Sequence, residues 1–294
     1  MSSGLPVYDT PILGMTARPR VERAVEYGNE ASFWVEWPSG LVDLTRSRHL
    51  ETSGGEDEEA LSGAHLEIEV DGGRRIRVDK ARTVLVVVDM QNFFLHPDLR
   101  AHEPGLKAVD ALVPILAPLR RQGVKILWVN WGLTEHELHT IPPSLARGFT
   151  KGGRGGFGAP LPGDFGRLLM RGSRNAELYG PLQDAYRAGE AAGADVWVHK
   201  NRMSGIWGYQ SALDLYLKEN GITTLLFGGV NSDQCVLGTL VDAYYRGYDC
   251  ILVKDITATT SPEGGHENVV YNAGNSYGFA TDTERILKVA SATT

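Results

Sequence analysis

Residues Thr83–Asp89 read TVLVVVD, an apolar run closed by a carboxylate. A strand with one solvated face alternates apolar and polar residues, whereas a parallel strand covered by helices on both faces does not. Val124–Asn130, Ala194–His199, Ile222–Phe227 and Asp249–Val253 repeat the same character, and Gly278–Thr281 adds a short sixth run. The intervening segments are long enough for crossover helices. Strands alternating with helical stretches predict an α/β fold, a three-layer α/β/α arrangement around a parallel sheet of about six strands, over residues 81–294.

The first 80 residues follow a different pattern and predict a β-rich N-terminal extension. Ser32–Trp37, His65–Val70 and Arg74–Val78 have strand-like alternation or β-branched content, and Asp71-Gly72-Gly73 is a hairpin signal between the last two. Glu51–Ala60 (ETSGGEDEEA) reads as an exposed acidic connector. Between Arg147 and Pro181 the glycine density argues against regular structure, and long segments of this kind serve as lids or interface arms. The GGRGGFG run at 152–158 lacks the lysine-serine/threonine pair and the leading buried strand of a phosphate cradle.

Composition narrows the function classes. The chain has 294 residues, 42% of them hydrophobic, which suffices for a sizeable core. A formal charge of −7 disfavours nucleic acid and anionic membrane as partners. No apolar run approaches the roughly 20 residues of a membrane span, and MSSGLPVYDT does not read as a secretory signal. Two cysteines outside any CxxC pair provide neither a disulfide framework nor a cysteine-rich zinc site. These features predict a cytoplasmic protein; the extension and the glycine-rich arm suggest a homo-oligomer.

In an open parallel sheet, ligands bind beyond the carboxyl ends of the strands. Asp89 closes the first core strand, ahead of MQNFF; Lys200 follows the third, in HKNRMSGIW; Cys235 follows the fourth, in TTLLFGGVNSDQCVLGTLVDAYYRGYD. A carboxylate, an amine and a thiol therefore arise at one rim. Each has a plainer alternative: a helix cap for the aspartate, solvation for the lysine, and packing under a helix for the cysteine. At the mouth of a helix, where N–H groups point outward, a thiol's pKa is lowered, and that favours a nucleophile.

With these three blocks in hand, the chain resembles the isochorismatase-like cysteine hydrolase family, which includes nicotinamidases, N-carbamoylsarcosine amidase and ureidoacrylate amidohydrolase. The resemblance spans about Arg82 to Asp282 and rests on VVVDMQNFF, on the lysine and serine of KNRMS, and on GGVNSDQCVLGTLVDAYYRGYD. It implies a strand order of 3-2-1-4-5-6, with Asp89 as proton acceptor and donor, Lys200 as its electrostatic partner and Cys235 as nucleophile. It further implies a cis peptide joining Val230 to Asn231, with the backbone N–H groups of Asn231 and Cys235 forming an oxyanion hole. The implied reaction is cleavage of a C–N bond in a small amide, carbamoyl or ureido compound through a thioester, without a cofactor. The same nucleophile could instead open a lactam, imide or ester, and a noncatalytic protein of this fold is the alternative from another class.

Departures from the family pattern are equally informative. True isochorismatases lack the nucleophilic cysteine, so its presence argues against vinyl-ether hydrolysis. Nicotinamidases carry an aspartate and clustered histidines for a metal after the second strand, but here that region reads WVNWGLTEHELHTIPP. Glu135, His136 and His139 are a conceivable ligand set, yet the aspartate-histidine spacing is missing; a surface helix is expected and no metal. Between Ser204 and the helix containing Leu213 and Leu217 the chain holds two residues more than the family pattern. Ile206, Trp207 and Tyr209 are accordingly candidates for a substrate wall, as are Asn92, Trp131 and Phe157. His266 invites a Cys–His reading, although a surface histidine at a helix start is simpler, and Cys250 reads as packing.

Overall fold

The computed structural model describes residues 18–53, 57–151, 153 and 155–291. Residues 1–17 of the expected extension, 54–56 of the acidic connector, and 152 and 154 of the GGRGGFG run lie outside the described residues. Among the described residues, eleven strands form two sheets. The larger contains β6 (Thr83–Val88), β7 (Lys125–Trp131), β8 (Asp195–Lys200), β9 (Thr224–Val230), β10 (Asp249–Ala258) and β11 (Gly278–Thr281). All neighbours in it are parallel, and the spatial order β11-β10-β9-β6-β7-β8 is the expected 3-2-1-4-5-6.

The absence of alternation in TVLVVVD has a direct structural cause. Leu85 and Val87 pack with Leu112, Ile115 and Leu119 of the Glu103–Arg121 helix on one face. Val84, Val86 and Val88 pack on the other, with Leu213 and Leu217 of the Ala212–Glu219 helix and Leu240 and Ala243 of the Leu237–Tyr245 helix. Every residue of β6 is buried, and beyond Thr83, whose hydroxyl donates to the Asp79 carbonyl at 2.6 Å, a polar side chain on either face would lose its water without gaining a partner. At the β6–β9 seam, Gly229 has φ 118°, and a Cβ there would stand 2.0 Å from the Val88 carbonyl oxygen. No other residue type fits this position.

The second sheet contains β1 (Val25–Asn29), β2 (Ser32–Glu36), β3 (Leu41–Asp43), β4 (His65–Val70) and β5 (Arg74–Asp79), in the order β1-β2-β3-β5-β4. Strands β2, β4 and β5 fall where the sequence placed them; β1 and β3 had no clear signal. The sheet lies against the β10–β11 side of the larger one. Thr281 Oγ1 donates to the Glu69 carbonyl at 2.7 Å, and Asp71 N donates to the Ala280 carbonyl at 2.8 Å. Asp249, buried at the start of β10, receives a two-pronged contact from Arg46 at 2.6 and 2.7 Å. The Trp34 indole at 2.7 Å and the Thr224 hydroxyl at 2.8 Å complete its shell. Leu66, Ile68, Ile76 and Val78 join the same apolar cluster as the Glu103–Arg121 helix.

Two stability predictions follow from these contacts. Gly229→Ala combines a forbidden backbone conformation with a backbone collision and should lose roughly 3 kcal/mol or more, read as a lowered urea midpoint. Arg46→Ala strands the buried Asp249 carboxylate and should cost about 3–5 kcal/mol in the same assay; a change below 1 kcal/mol would contradict this account of the seam.

Candidate active site

Asp89 follows β6 with φ 54°, a left-handed conformation uncommon for a non-glycine residue, and its side chain is fully buried. Lys200, the last residue of β8, places Nζ 2.9 Å from Asp89 Oδ2, and both side chains are almost wholly removed from solvent. Lys200 stands on the strand itself rather than in the loop after it and spans the end of β7, with Nζ 4.0 Å from the centre of the Trp131 ring. Its other two donor directions meet the carbonyls of Arg202 and Met203, each at 3.0 Å, so the ammonium itself folds the following loop around the site. Asp89 Oδ1 accepts from Trp131 N at 3.3 Å.

Cys235 lies in a single π-helical turn, Ser232–Val236, between β9 and the Leu237–Tyr245 helix. The placement just before the helix is as expected; the electrostatic consequence is not. Burial pushes the thiol up to about 12, and the Asp89 carboxylate adds to the rise while Lys200 opposes it. Burial likewise raises Asp89 above the usual carboxylate range, against the pull of Lys200 and of hydrogen bonds from Cys235 and Trp131. The resting thiol is therefore protonated, with Sγ 3.9 Å from Met203 Sδ and the Asp89 carboxylate near enough to act on it.

The turn is held from several directions. The Val230–Asn231 peptide is cis, as the resemblance implied. The Asn231 carbonyl is engaged within the turn, accepting from Gln234 N at 3.1 Å and Val236 N at 3.2 Å. The Asn231 side chain accepts a 2.6 Å hydrogen bond from buried His102 Nε2 and donates to Gln234 Oε1. Because His102 Nδ1 accepts from Gly105 N at 2.9 Å, the neutral ring carries its proton on Nε2; burial, chiefly, holds its pKa down. Thr239 accepts from Gly205 N and donates to the Cys235 carbonyl, tying the lysine loop to the cysteine turn.

Above the sulfur lies a cavity of about 400 Å³. Its apolar wall is formed by Phe93, Phe94, Phe149 and Met203; Asn231, Gln234 and Cys235 provide its polar end; Arg100 and Lys151 also line it. Trp131 and Phe157 stand behind Phe149, with ring centres 5.3 and 4.1 Å from it. Asn92 does not line this cavity; its amide donates to the Arg174 carbonyl at 2.9 Å. Ile206 is fully buried in the core, and Trp207 and Tyr209 line a separate cavity of about 530 Å³ beside β8. The loop after Ser204 thus carries Trp207 and Tyr209 away from the thiol.

Other singled-out residues have structural occupations. Among the described residues, no group of three or more His, Cys, Asp or Glu is placed to hold a metal ion. Glu135 pairs with Arg167, His136 and His139 are exposed, and Asn130 and Trp131 fill the end of β7. The nicotinamidase-type donor set does not fit here. His266 is half-buried rather than on the surface, with Nδ1 3.0 Å from Ser232 Oγ, so it braces the cysteine turn without lining the cavity. Cys250 is buried on β10 with its thiol toward the Leu240 and Tyr248 carbonyls. Among the described residues, no helix is long and apolar enough to cross a membrane.

Sequence reading missed Gln91, His102, Arg100 and the aromatic wall. Gln91 is buried and clamps the end of β7, donating to the Trp131 carbonyl at 2.8 Å and to that of Ala176 at 2.7 Å. Gln91, Phe93 and Phe94 lay inside MQNFF and Met203 inside KNRMS, so their closeness to the catalytic candidates was available; nothing local marked Phe149 or His102.

Comparison with known proteins agrees with this geometry. The family model for the isochorismatase domain matches residues 83–285. A nicotinamidase from Bacillus subtilis superposes with a TM-score of 0.54 at 25% identity, over 68% of this chain and 99% of its own. N-carbamoylsarcosine amidase from Thermoplasma acidophilum gives 0.52 at 25% identity, over 69% and 97%. An isochorismatase family protein from Desulfovibrio vulgaris shares the fold with a TM-score of 0.56 at 24% identity, over 72% and 99%. The domain match takes in all six strands of the parallel sheet together with Asp89, Lys200 and Cys235, and the chain belongs to the isochorismatase family.

Proposed function

We propose that the protein is a cysteine-dependent hydrolase that cleaves the C–N bond of a small amide, carbamoyl or ureido compound through a thioester. The observation that carries this reading is the meeting of the Cys235 thiol, the Asp89 carboxylate and the Lys200 ammonium at the base of a substrate-sized cavity. Two of the solved relatives bear the names of amidases, which supports the same bond type.

The chemistry follows from charge balance. Beside Lys200 the site holds one negative charge, on Asp89 when the thiol is protonated and on sulfur once the proton has crossed. Proton transfer therefore moves a charge across the ammonium without creating one in a dry site. Asp89 takes the Cys235 proton as the sulfur attacks the carbonyl carbon. The resulting oxyanion is received by the backbone N–H groups of Asn231 and Cys235, each worth about 3 kcal/mol of barrier. Asp89 returns the proton to the departing nitrogen, the C–N bond breaks, and ammonia or an amine leaves the thioester. Water, deprotonated by Asp89, then releases the acid and the thiol.

Ammonia release from a panel of primary amides, ureido acids and biuret-like compounds tests the reading. Cys235→Ala should reduce turnover roughly 10⁴-fold or more, and mass spectrometry of the quenched native enzyme should find the acyl group on Cys235. Turnover that survives in Cys235→Ala would end the proposal. The pH dependence provides a second check. With the thiol pushed up to about 12, iodoacetamide labelling of Cys235 without substrate should climb across pH 7–10, by up to about tenfold per unit, with no plateau. Asp89 must be ionised to act as base and its pKa is raised, so the acid limb of kcat/KM should fall above the ordinary carboxylate range.

A further inference from the structure

We infer that Met203 is a modification site that controls the cysteine: hydrogen peroxide oxidises its thioether to the sulfoxide before it oxidises either thiol, and the added oxygen then disables Cys235. The modification follows from the packing of the chain; its effect on turnover rests on the proposed reaction.

Access singles out this methionine. Of the five in the chain, Met1 and Met15 lie outside the described residues, Met90 is fully buried and Met170 is 6% exposed. Met203 is half-buried and lines the cavity of about 400 Å³ above the thiol. A water molecule occupies roughly 30 Å³ and hydrogen peroxide little more, so the oxidant has ample room to reach the thioether. Lys200 fixes the backbone there by donating to the Met203 carbonyl at 3.0 Å, and the side chain packs against both apolar clusters of the parallel sheet. Sδ is thereby held 3.9 Å from Cys235 Sγ. Cys250 has no such opening: it is buried outside the cavity lining, with its thiol toward the Leu240 and Tyr248 carbonyls.

The two sulfurs of the cavity differ in what they offer an oxidant. A cysteine reacts with peroxide as its thiolate. With the thiol pushed up to about 12, only about one Cys235 in 10⁵ is ionised at pH 7. A thioether has no proton to lose. Its lone pair attacks one peroxide oxygen, the O–O bond breaks, and the departing hydroxide takes the proton of the transferred oxygen and leaves as water. Sulfur gives up two electrons and the peroxide gains them. The product alters the site in two ways. Thioether sulfur is a weak acceptor and leaves the Cys235 proton to Asp89, whereas a sulfoxide oxygen is polar and accepts well. Borne on Sδ beside Sγ, that oxygen holds the proton on the thiol and fills space where the substrate carbonyl has to sit.

Native enzyme exposed to a graded excess of hydrogen peroxide at pH 7 tests the inference through peptide mass mapping, iodoacetamide labelling of Cys235 at pH 9 and ammonia release from a hydrolysed amide of the panel. One oxygen should appear on Met203 while both cysteines remain free thiols. Turnover and labelling should each fall at least about tenfold in step with the sulfoxide fraction, the equivalent of one hydrogen bond. Methionine sulfoxide reductases of both epimer types should restore them; dithiothreitol alone, which reverses sulfenic acids and disulfides, should not. Met203→Leu, scored against its own untreated rates, should resist the same exposure; where that variant does not fold, recovery by the reductases decides. The inference is overturned by oxidation that reaches Cys235, Cys250, Met90 or Met170 first, by a Met203 sulfoxide that leaves labelling or an existing turnover unchanged, by recovery with dithiothreitol alone, or by a Met203→Leu protein as sensitive as the native one. An enzyme that hydrolyses no amide before treatment counts against the cysteine hydrolase reading, and the labelling rate alone then decides the role of Met203.

Discussion

A buried ion pair between Asp89 and Lys200 sets the terms for the rest of the site. Removing two charges from water costs several kcal/mol each, and their attraction offsets this only with good geometry and further hydrogen bonds. Here the ammonium has the carboxylate, two loop carbonyls and the Trp131 face; the carboxylate has the ammonium, the Trp131 N–H and the thiol. Each requirement fixes another part of the chain. The lysine must end β8, the tryptophan must end β7, and Gln91 must hold that end still. The loop after Lys200 must turn its carbonyls inward. The candidate site is thus the set of strand ends that makes this pair tolerable.

The cysteine is governed by the same economy of charge. A helix start lowers a thiol's pKa when water or an open cavity stabilises the thiolate, but Cys235 is nearly inaccessible, and desolvation outweighs the dipole. What compensates is proximity to a base whose own proton affinity has been raised by the same burial. Raising the carboxylate makes it a better acceptor for a proton that the raised thiol holds more tightly, and Lys200 favours the anion wherever it resides. An exposed, permanently ionised cysteine would need no neighbouring base; in the proposed reaction this buried one relies on Asp89.

Much of the fold was legible because parallel sheets leave a plain imprint. Strands buried on both faces cannot alternate, so TVLVVVD and its counterparts located the six core strands, although β10 runs on to Ala258, five residues past the expected end at Val253. The strand-end rule then brought Asp89, Lys200 and Cys235 to one rim before any family likeness was considered. The remainder depended on distances that local patterning does not encode. Strand β1 has two half-buried residues followed by three exposed ones, and β3 is three residues long; each is held by its partners more than by its own pattern. Trp207 and Tyr209 were near Lys200 in sequence yet face another cavity. Phe149, some fifty residues earlier, reaches the sulfur's side because the glycine-rich arm brings it there.

That arm shows how an irregular segment can be as well determined as a helix. Gly155, Gly156, Gly158, Gly163, Gly166 and Gly172 all have positive φ, so the path uses conformations that few other residues tolerate. Backbone bonds then bind it to the core at separate points: Leu133 N to the Leu169 carbonyl, Arg171 N to that of Leu133, and Tyr179 N to that of Met90. Buried Asn175 closes it internally, accepting from Leu169 N and donating to the carbonyls of Phe165 and Arg167. The contacts with Leu133 and Met90 fall just beyond β7 and β6, beside the residues that hold the ion pair. The arm therefore carries the Phe157 side of the aromatic wall on the same strand ends that position the carboxylate. Phe157 thus meets Trp131 on one side, and Trp131 meets the Lys200 ammonium on the other.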